Sequence, residues 1–76
     1  MIKRWSMKEY CKKIKQLRIK NGYTIKQLAE KLGVSPRTYS NYEQGKSKIP
    51  VKKLIEICLI YNVSADYILG FERTEQ

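Results

Sequence analysis

Histidine is absent from the chain, and cysteine is scarce, with Cys11 and Cys58 far apart in a sequence of 76 residues. Without histidine or a cysteine cluster, no soft ligands stand at metal-binding spacing, and acid–base catalysis would depend on carboxylates alone. We therefore expect no metal, no cofactor, no catalytic residue and no enzyme activity. Both cysteines lie on apolar stripes of predicted helices, which favours core packing over redox chemistry.

Long hydrophobic runs are also missing. The longest, Ile57–Tyr61, is far below the roughly 20 residues that a membrane span needs. No apolar export segment follows the early charged residues. These absences predict a protein of the reducing cytoplasm with no membrane partner. A chain this short is expected to form one domain over residues 1–76, with a core at 7–70 and a frayed tail at 71–76, too small for a deep substrate cleft.

Acidic residues are outnumbered, with 7 Asp and Glu against 16 Lys and Arg and a formal net charge of +9. The basic residues concentrate in residues 1–20 and 46–53, whereas residues 54–76 carry a small negative net charge. Charge separated in this way predicts a polyanion on one side of the molecule and another contact on the other. No small-molecule substrate is expected.

Capping motifs and helical spacing predict an all-α domain without strands. Ser6 and Glu9 form a capping box, Thr24 and Gln27 form a second one, and Ser35 precedes a proline at a first helical position. The predicted helices span approximately residues 7–20, 25–32, 36–44, 50–61 and 65–69. In the fourth helix, the series expected to face inward is Val51, Leu54, Ile55, Cys58 and Tyr61.

The second and third predicted helices form a helix-turn-helix. A small residue, Ala29, stands where the helices would cross, and Gly33 supplies the tight turn. Tyr39 and Tyr42 would face the core, so the opposite face of the third helix would show Arg37, Ser40, Asn41 and Gln44. Arginine pairs with guanine and asparagine or glutamine with adenine in the major groove, which makes this a candidate base-reading face.

Three segments, residues 14–35 (IKQLRIKNGYTIKQLAEKLGVS), 39–50 (YSNYEQGKSKIP) and 54–70 (LIEICLIYNVSADYILG), resemble the Cro/CI-type, or XRE, family of phage and bacterial repressors. The resemblance implies a five-helix lambda-repressor-like fold. It implies base contacts at Pro36, Arg37, Ser40 and Asn41. It implies phosphate contacts at Thr24, Lys26, Gln44, Lys46 and Lys48, and an ion pair between Arg18 and Glu43.

The chain departs from the family pattern at three positions. Pro36 stands where a hydrogen-bonding side chain is usual, so base reading would depend on Arg37 and Asn41. Ile25 replaces a phosphate-binding glutamine, and Tyr39 fills a core position usually held by a branched aliphatic residue.

The leading hypothesis is a repressor that binds double-stranded DNA as a homodimer on an inverted repeat. Its dimer interface is predicted at Leu59, Ile60, Tyr67 and Phe71, because the apolar run of the fourth helix exceeds what one buried stripe can hide. The alternative is an antitoxin-like or anti-repressor module that uses the same fold to bind a protein. A membrane-surface binder would need a free apolar helix face, and we expect the core to use every apolar stripe.

Overall fold

Short helices make up the described part of the chain. The computed structural model describes residues 7–70, with side chains from residue 9 onward. Its helices are α1 (Met7–Lys20), α2 (Ile25–Leu32), α3 (Pro36–Gln44), α4 (Val51–Tyr61) and α5 (Ala65–Leu69), and no strand occurs in these residues. The predicted all-helical, five-helix fold is therefore confirmed. Ser6 of the first predicted capping box lies outside the described residues, as does the predicted tail.

The helix boundaries follow from side chains that satisfy free backbone groups. Thr24 accepts a hydrogen bond from the Gln27 amide at 3.0 Å, while the Gln27 side chain accepts one from the Thr24 amide at 2.9 Å, which completes the predicted capping box. Ser35 and Ser64 cap α3 and α5 with a single side-chain bond each, accepted from the Thr38 and Tyr67 amides. Helices of two or three turns are marginal alone, so packing of their apolar faces must stabilise them.

The core receives a fully buried side chain from every helix. Ile14 of α1, Leu28 of α2, Tyr39 of α3, Ile57 of α4 and Ile68 of α5 are each 0% exposed. Burying a side chain of this size stabilises the fold by roughly 1.5–3 kcal/mol. One shared core therefore fixes the five helices relative to one another.

Helix α4 faces the core differently from the sequence expectation. Val51 and Ile55, placed inward above, are 72% and 53% exposed, while Ile57 is completely buried. The buried face runs through Lys53, whose Nζ lies 2.6 Å from the carbonyl oxygen of Leu32 at the end of α2. A lysine there satisfies a carbonyl that has no partner within its own helix, which helps fix the rotation of α4. The predicted inward series is wrong at its first and third members.

The cysteines take part in packing. Cys11 is buried and Cys58 is half-buried, and neither forms a disulfide. Burial raises the pKa of both thiols, which keeps them protonated at neutral pH.

In the part of the chain described, no helix has both the length and the apolar character needed to cross a membrane.

Candidate nucleic-acid interface

Helices α2 and α3 meet in a tight turn that fixes their relative orientation. Gly33 has φ 71°, in the left-handed region that a side chain disfavours. The next amide, of Val34, returns to the Ala29 carbonyl at 3.0 Å, and Ala29 is 1% exposed. Ser35 then accepts a hydrogen bond from the Thr38 amide at 3.1 Å, which caps the first turn of α3. The predicted helix-turn-helix is therefore present, with its second helix rigidly attached.

Helix α3 has a buried face and an open face. Tyr39 and Tyr42 are buried, as predicted. Arg37 is exposed and makes no hydrogen bond or ion pair with residues 9–70. The residues predicted to read bases therefore lie where a ligand can reach them, with Pro36 and Arg37 exposed and Ser40 and Asn41 half-buried.

The spacing of the open face places its polar side chains in one row. Positions 37, 40, 41 and 44 are three and four apart, which puts them on the same side of a helix. The Gln44 side chain donates a 2.7 Å hydrogen bond to the Ser40 hydroxyl. The side chains of Arg37 and Asn41, unlike those of Ser40 and Gln44, form no hydrogen bond within the described residues. The row therefore presents a free guanidinium and a free amide, the groups that suit base edges.

Exposed groups flank this row on both sides. Lys46 and Lys48 lie in the loop after α3, whose backbone is tied to that helix because the Lys46 and Ser47 amides donate to the Asn41 carbonyl at 3.0 and 3.4 Å. Thr24 and Lys26 are exposed at the start of α2, and Gln44 is exposed at the end of α3. The residues predicted to contact phosphate thus all face solvent. The Thr24 hydroxyl accepts its capping hydrogen bond and keeps a proton to donate.

A carboxylate connects α3 to the rest of the domain. The Arg18 Nε lies 2.7 Å from the Glu43 Oε2, and its Nη2 lies 3.3 Å from Oε1. The side chains are 13% and 6% exposed, so the pair is largely removed from water. Arg18 also donates to the Tyr23 carbonyl at 3.0 Å, and Tyr39 donates to Glu43 at 2.5 Å. The end of α1, the first turn and α3 are therefore joined at one charged centre.

Burial raises the pKa values of two tyrosines around this centre, Tyr39 and Tyr61. The pKa of Tyr39 is raised strongly, first by burial and then by its hydrogen bond to the Glu43 carboxylate, which disfavours a second negative charge. Burial and the same carboxylate raise the pKa of Tyr61 to about 12. The Tyr61 hydroxyl is the one buried side-chain polar atom without a hydrogen-bond partner in the described residues. Both phenols are neutral at physiological pH.

An apolar stripe covers the outward face of α4. Val51, Ile55 and Leu59 stand four residues apart and are 72%, 53% and 75% exposed. Because residues four apart share a helix face, these side chains form one continuous surface, called here the α4 stripe. Contiguous exposed apolar surface of this kind marks interaction sites.

The residues predicted at a dimer interface are divided by the structure. Leu59 belongs to the α4 stripe, whereas Ile60 and Tyr67 are half-buried against the core. The Tyr67 ring lies beneath the Lys13 Nζ, 4.5 Å from the ring centroid, and so faces α1. Phe71 lies outside the described residues.

Sequence reasoning missed two structural features, the outward face of α4 and a hydrogen bond within α3. It placed Val51 and Ile55 in the core, because apolar residues occupy nearly every side of α4 and leave its orientation open. It also missed the bond between Tyr39 and Glu43, although their spacing of four residues on a helix would have suggested it.

Comparison with known proteins agrees with this geometry. A family model described as helix-turn-helix matches residues 14–68. The uncharacterized HTH-type transcriptional regulator YobD of Bacillus subtilis is 44% identical over 61 residues, which cover 80% of this chain and 54% of that protein. The HTH-type transcriptional regulator ImmR of the same organism is 42% identical over 59 residues, covering 78% and 46%. The chain therefore spans about half the length of the curated relatives it matches.

Solved structures agree as well. The biofilm master regulator SinR in complex with DNA superposes with a TM-score of 0.70 at 31% identity, covering 79% of this chain and 97% of that one. A transcriptional regulator from Listeria innocua gives a TM-score of 0.78 at 27% identity, covering 88% and 63%. These four proteins are regulators rather than enzymes, and the fold of the solved ones is the one predicted from the sequence.

Proposed function

The chain belongs to the XRE-type helix-turn-helix family, and on this premise we propose that it binds DNA in the cytoplasm and represses transcription as a homodimer on an inverted repeat. The observation that carries the proposal is the open face of α3, where Arg37 and Asn41 are accessible on a helix held rigidly at both ends. Helices presented in this way enter the major groove with their first turns against the base edges.

Charge supports the same conclusion. The chain carries a formal net charge of +9, and exposed lysines flank the α3 face at both ends. In our proposal Thr24, Lys26, Gln44, Lys46 and Lys48 contact phosphates and set the register, while Pro36, Arg37, Ser40 and Asn41 face the bases. Phosphate contacts supply affinity that falls with salt, and base contacts supply sequence preference.

The dimer is proposed to form through the α4 stripe, with Leu59 retained from the sequence prediction and Val51 and Ile55 added. A two-fold axis near Ile55 would place Val51 of one copy against Leu59 of the other, so the contact is self-complementary. Val51 and Leu59 are eight positions apart, which makes the stripe about 12 Å long. Such an interface is small, so we expect a dimer that is weak in free solution and completed on DNA. Its two copies of α3 would lie about one DNA turn, roughly 34 Å, apart.

Selection from random duplex DNA at a fixed salt concentration tests the proposal. We expect an enriched consensus with two-fold symmetry and half-sites one helical turn apart. An enriched but asymmetric consensus would contradict the homodimer and leave DNA reading in place. The absence of any enrichment would contradict the whole proposal and favour the antitoxin-like or anti-repressor alternative, in which the α4 stripe binds another protein. A reporter gene under the selected sequence then separates repression from activation.

A further inference from the structure

A shallow cleft lies between the start of α2 and the start of α3. It has a volume of about 180 Å³ and is lined by Lys26, Ala29, Glu30, Val34 and Pro36. Its apolar members share one property, since none of their side chains can donate or accept a hydrogen bond. Ala29 is almost fully buried, Val34 is half-buried and Pro36 is exposed, so the apolar surface deepens from the rim inward.

The cleft is continuous with the DNA surface proposed above. Its lining includes Lys26, assigned there to a phosphate, and Pro36, assigned to the base edges. Pro36 is the first residue of α3, and the first residues of a recognition helix approach the major-groove edges most closely. In the proposed complex, a group that fills the cleft would therefore lie near both the sugar–phosphate backbone and a base edge of the same region of DNA.

The major groove offers one apolar group that fits this description. Most of the groups that base pairs present there are hydrogen-bond donors and acceptors. The C5-methyl group of a pyrimidine is apolar. The ring of Pro36 cannot satisfy a donor or an acceptor, so a polar edge placed against it would lose its water without compensation. A methyl group makes no hydrogen bonds to water, so it loses none on entering the cleft.

We propose that the apolar part of this cleft, formed by Pro36 with Val34 and Ala29, binds the C5-methyl group of a pyrimidine, a preference that rests on the DNA binding proposed above. Thymine and 5-methylcytosine both carry this group. Glu30, an exposed residue of the cleft lining, can accept a hydrogen bond from the amino group of a cytosine, so both bases are chemically compatible with the cleft. Pro36 is then a specificity-determining residue rather than a gap in the reading face.

The test removes the methyl group and nothing else. In the half-site found by selection, each thymine is replaced singly by deoxyuridine, and binding is measured by fluorescence anisotropy at constant salt. Burying one methyl-sized group corresponds to about a fourfold change in the dissociation constant. We expect a loss of about this size at one position per half-site. A second pair of duplexes carries 5-methylcytosine or cytosine at that position. The methylated duplex should bind more tightly if the cleft accepts the methyl group of either base, whereas equal affinities would show that it accepts thymine alone.

Two protein variants complete the test. Pro36→Ser keeps a residue compatible with a helix start and removes the apolar ring, so it should abolish the difference between thymine and deoxyuridine. The chain's other proline provides the matched control, because Pro50 is the exposed N-cap of α4 and lines no part of the cleft. Pro50→Ser should preserve the difference.

Two results would overturn the inference while leaving DNA binding established. One is a half-site in which no thymine responds to loss of its methyl group. The other is a response that persists unchanged in Pro36→Ser. If the wild-type chain selects no DNA sequence at all, no half-site exists, and the methyl reading falls together with the proposed function.

Discussion

Tyr39 donates a 2.5 Å hydrogen bond to the carboxylate of Glu43, one turn further along α3 and already bound by Arg18. Tyr39 is 0% exposed and the Glu43 side chain is 6% exposed, so the bond is largely removed from water. It attaches the buried face of α3 to the charged centre that joins this helix to α1. The same side chain thus fills the core and orients the carboxylate.

Removing the hydroxyl group from two tyrosines should change stability in opposite directions. Tyr39→Phe keeps the ring and deletes a hydrogen bond to a charged group, so the free energy of unfolding should fall by about 1.5–3 kcal/mol. Tyr61→Phe deletes a buried hydroxyl that has no partner among the described residues, so the free energy should rise by roughly 1 kcal/mol. Urea unfolding monitored by circular dichroism measures both. A loss of stability in Tyr61→Phe equal to that in Tyr39→Phe would contradict this assignment.

Glu43→Ala should destabilise the fold severely. The substitution leaves the Arg18 guanidinium largely buried without its carboxylate, which costs about 3–5 kcal/mol in comparable pairs. Arg18→Ala should do the same from the other side. The matched control is Glu56→Ala, which breaks the more exposed pair of Glu56 with Lys53 at 3.3 Å and should cost no more than about 1 kcal/mol. Melting temperatures for the Glu43 and Glu56 variants that agree within a degree or two would show that the buried centre is not stabilising.

Alkaline pH should destabilise the protein through its buried tyrosines. The pKa values of Tyr39 and Tyr61 are raised above that of an unfolded tyrosine, about 10. Their contribution to stability is therefore complete below about pH 10 and is lost as the pH rises through the folded values, the first being about 12 for Tyr61. Urea unfolding at a series of pH values should show this decline. Tyr61→Phe should decline less steeply over the window from about pH 10 to about pH 12, and a slope identical to wild type would contradict the perturbed pKa.

The helix ends and the open face of α3 were predictable from the sequence because local chemistry determines them. The Thr24 and Gln27 capping box, the Ser35 and Pro36 pair and Gly33 each act within a few residues of chain. The rotation of α4 was not predictable, because apolar residues on nearly every side satisfy several orientations equally. A tertiary contact, from Lys53 to the end of α2, distinguishes them. The role of Tyr39 likewise depends on a carboxylate positioned by another helix.

Arg37 and Lys48 should separate sequence reading from general affinity. Arg37→Ala removes a base contact, so binding to the selected sequence should weaken by about 1–3 kcal/mol and the preference at one base pair per half-site should relax. Lys48→Ala removes a phosphate contact and should weaken binding to all sequences alike, with a shallower salt dependence. Anisotropy titrations on the selected and a scrambled duplex distinguish the two effects. Equal losses on both duplexes for Arg37→Ala would remove this residue from the base-reading face.

The α4 stripe should control assembly without affecting the fold. Ile55 and Leu59 are exposed, so replacing both by glutamine adds no charge, leaves the core untouched and keeps residues that favour helices. We expect unchanged circular dichroism, a monomer by sedimentation equilibrium, and loss of cooperative binding to the full inverted repeat, while affinity for one half-site is retained. Ile19→Gln is the control, because Ile19 is 59% exposed on α1, away from the stripe. If the double variant binds the full repeat as cooperatively as wild type, the two copies meet elsewhere, and the exposed apolar face of α4 serves another partner.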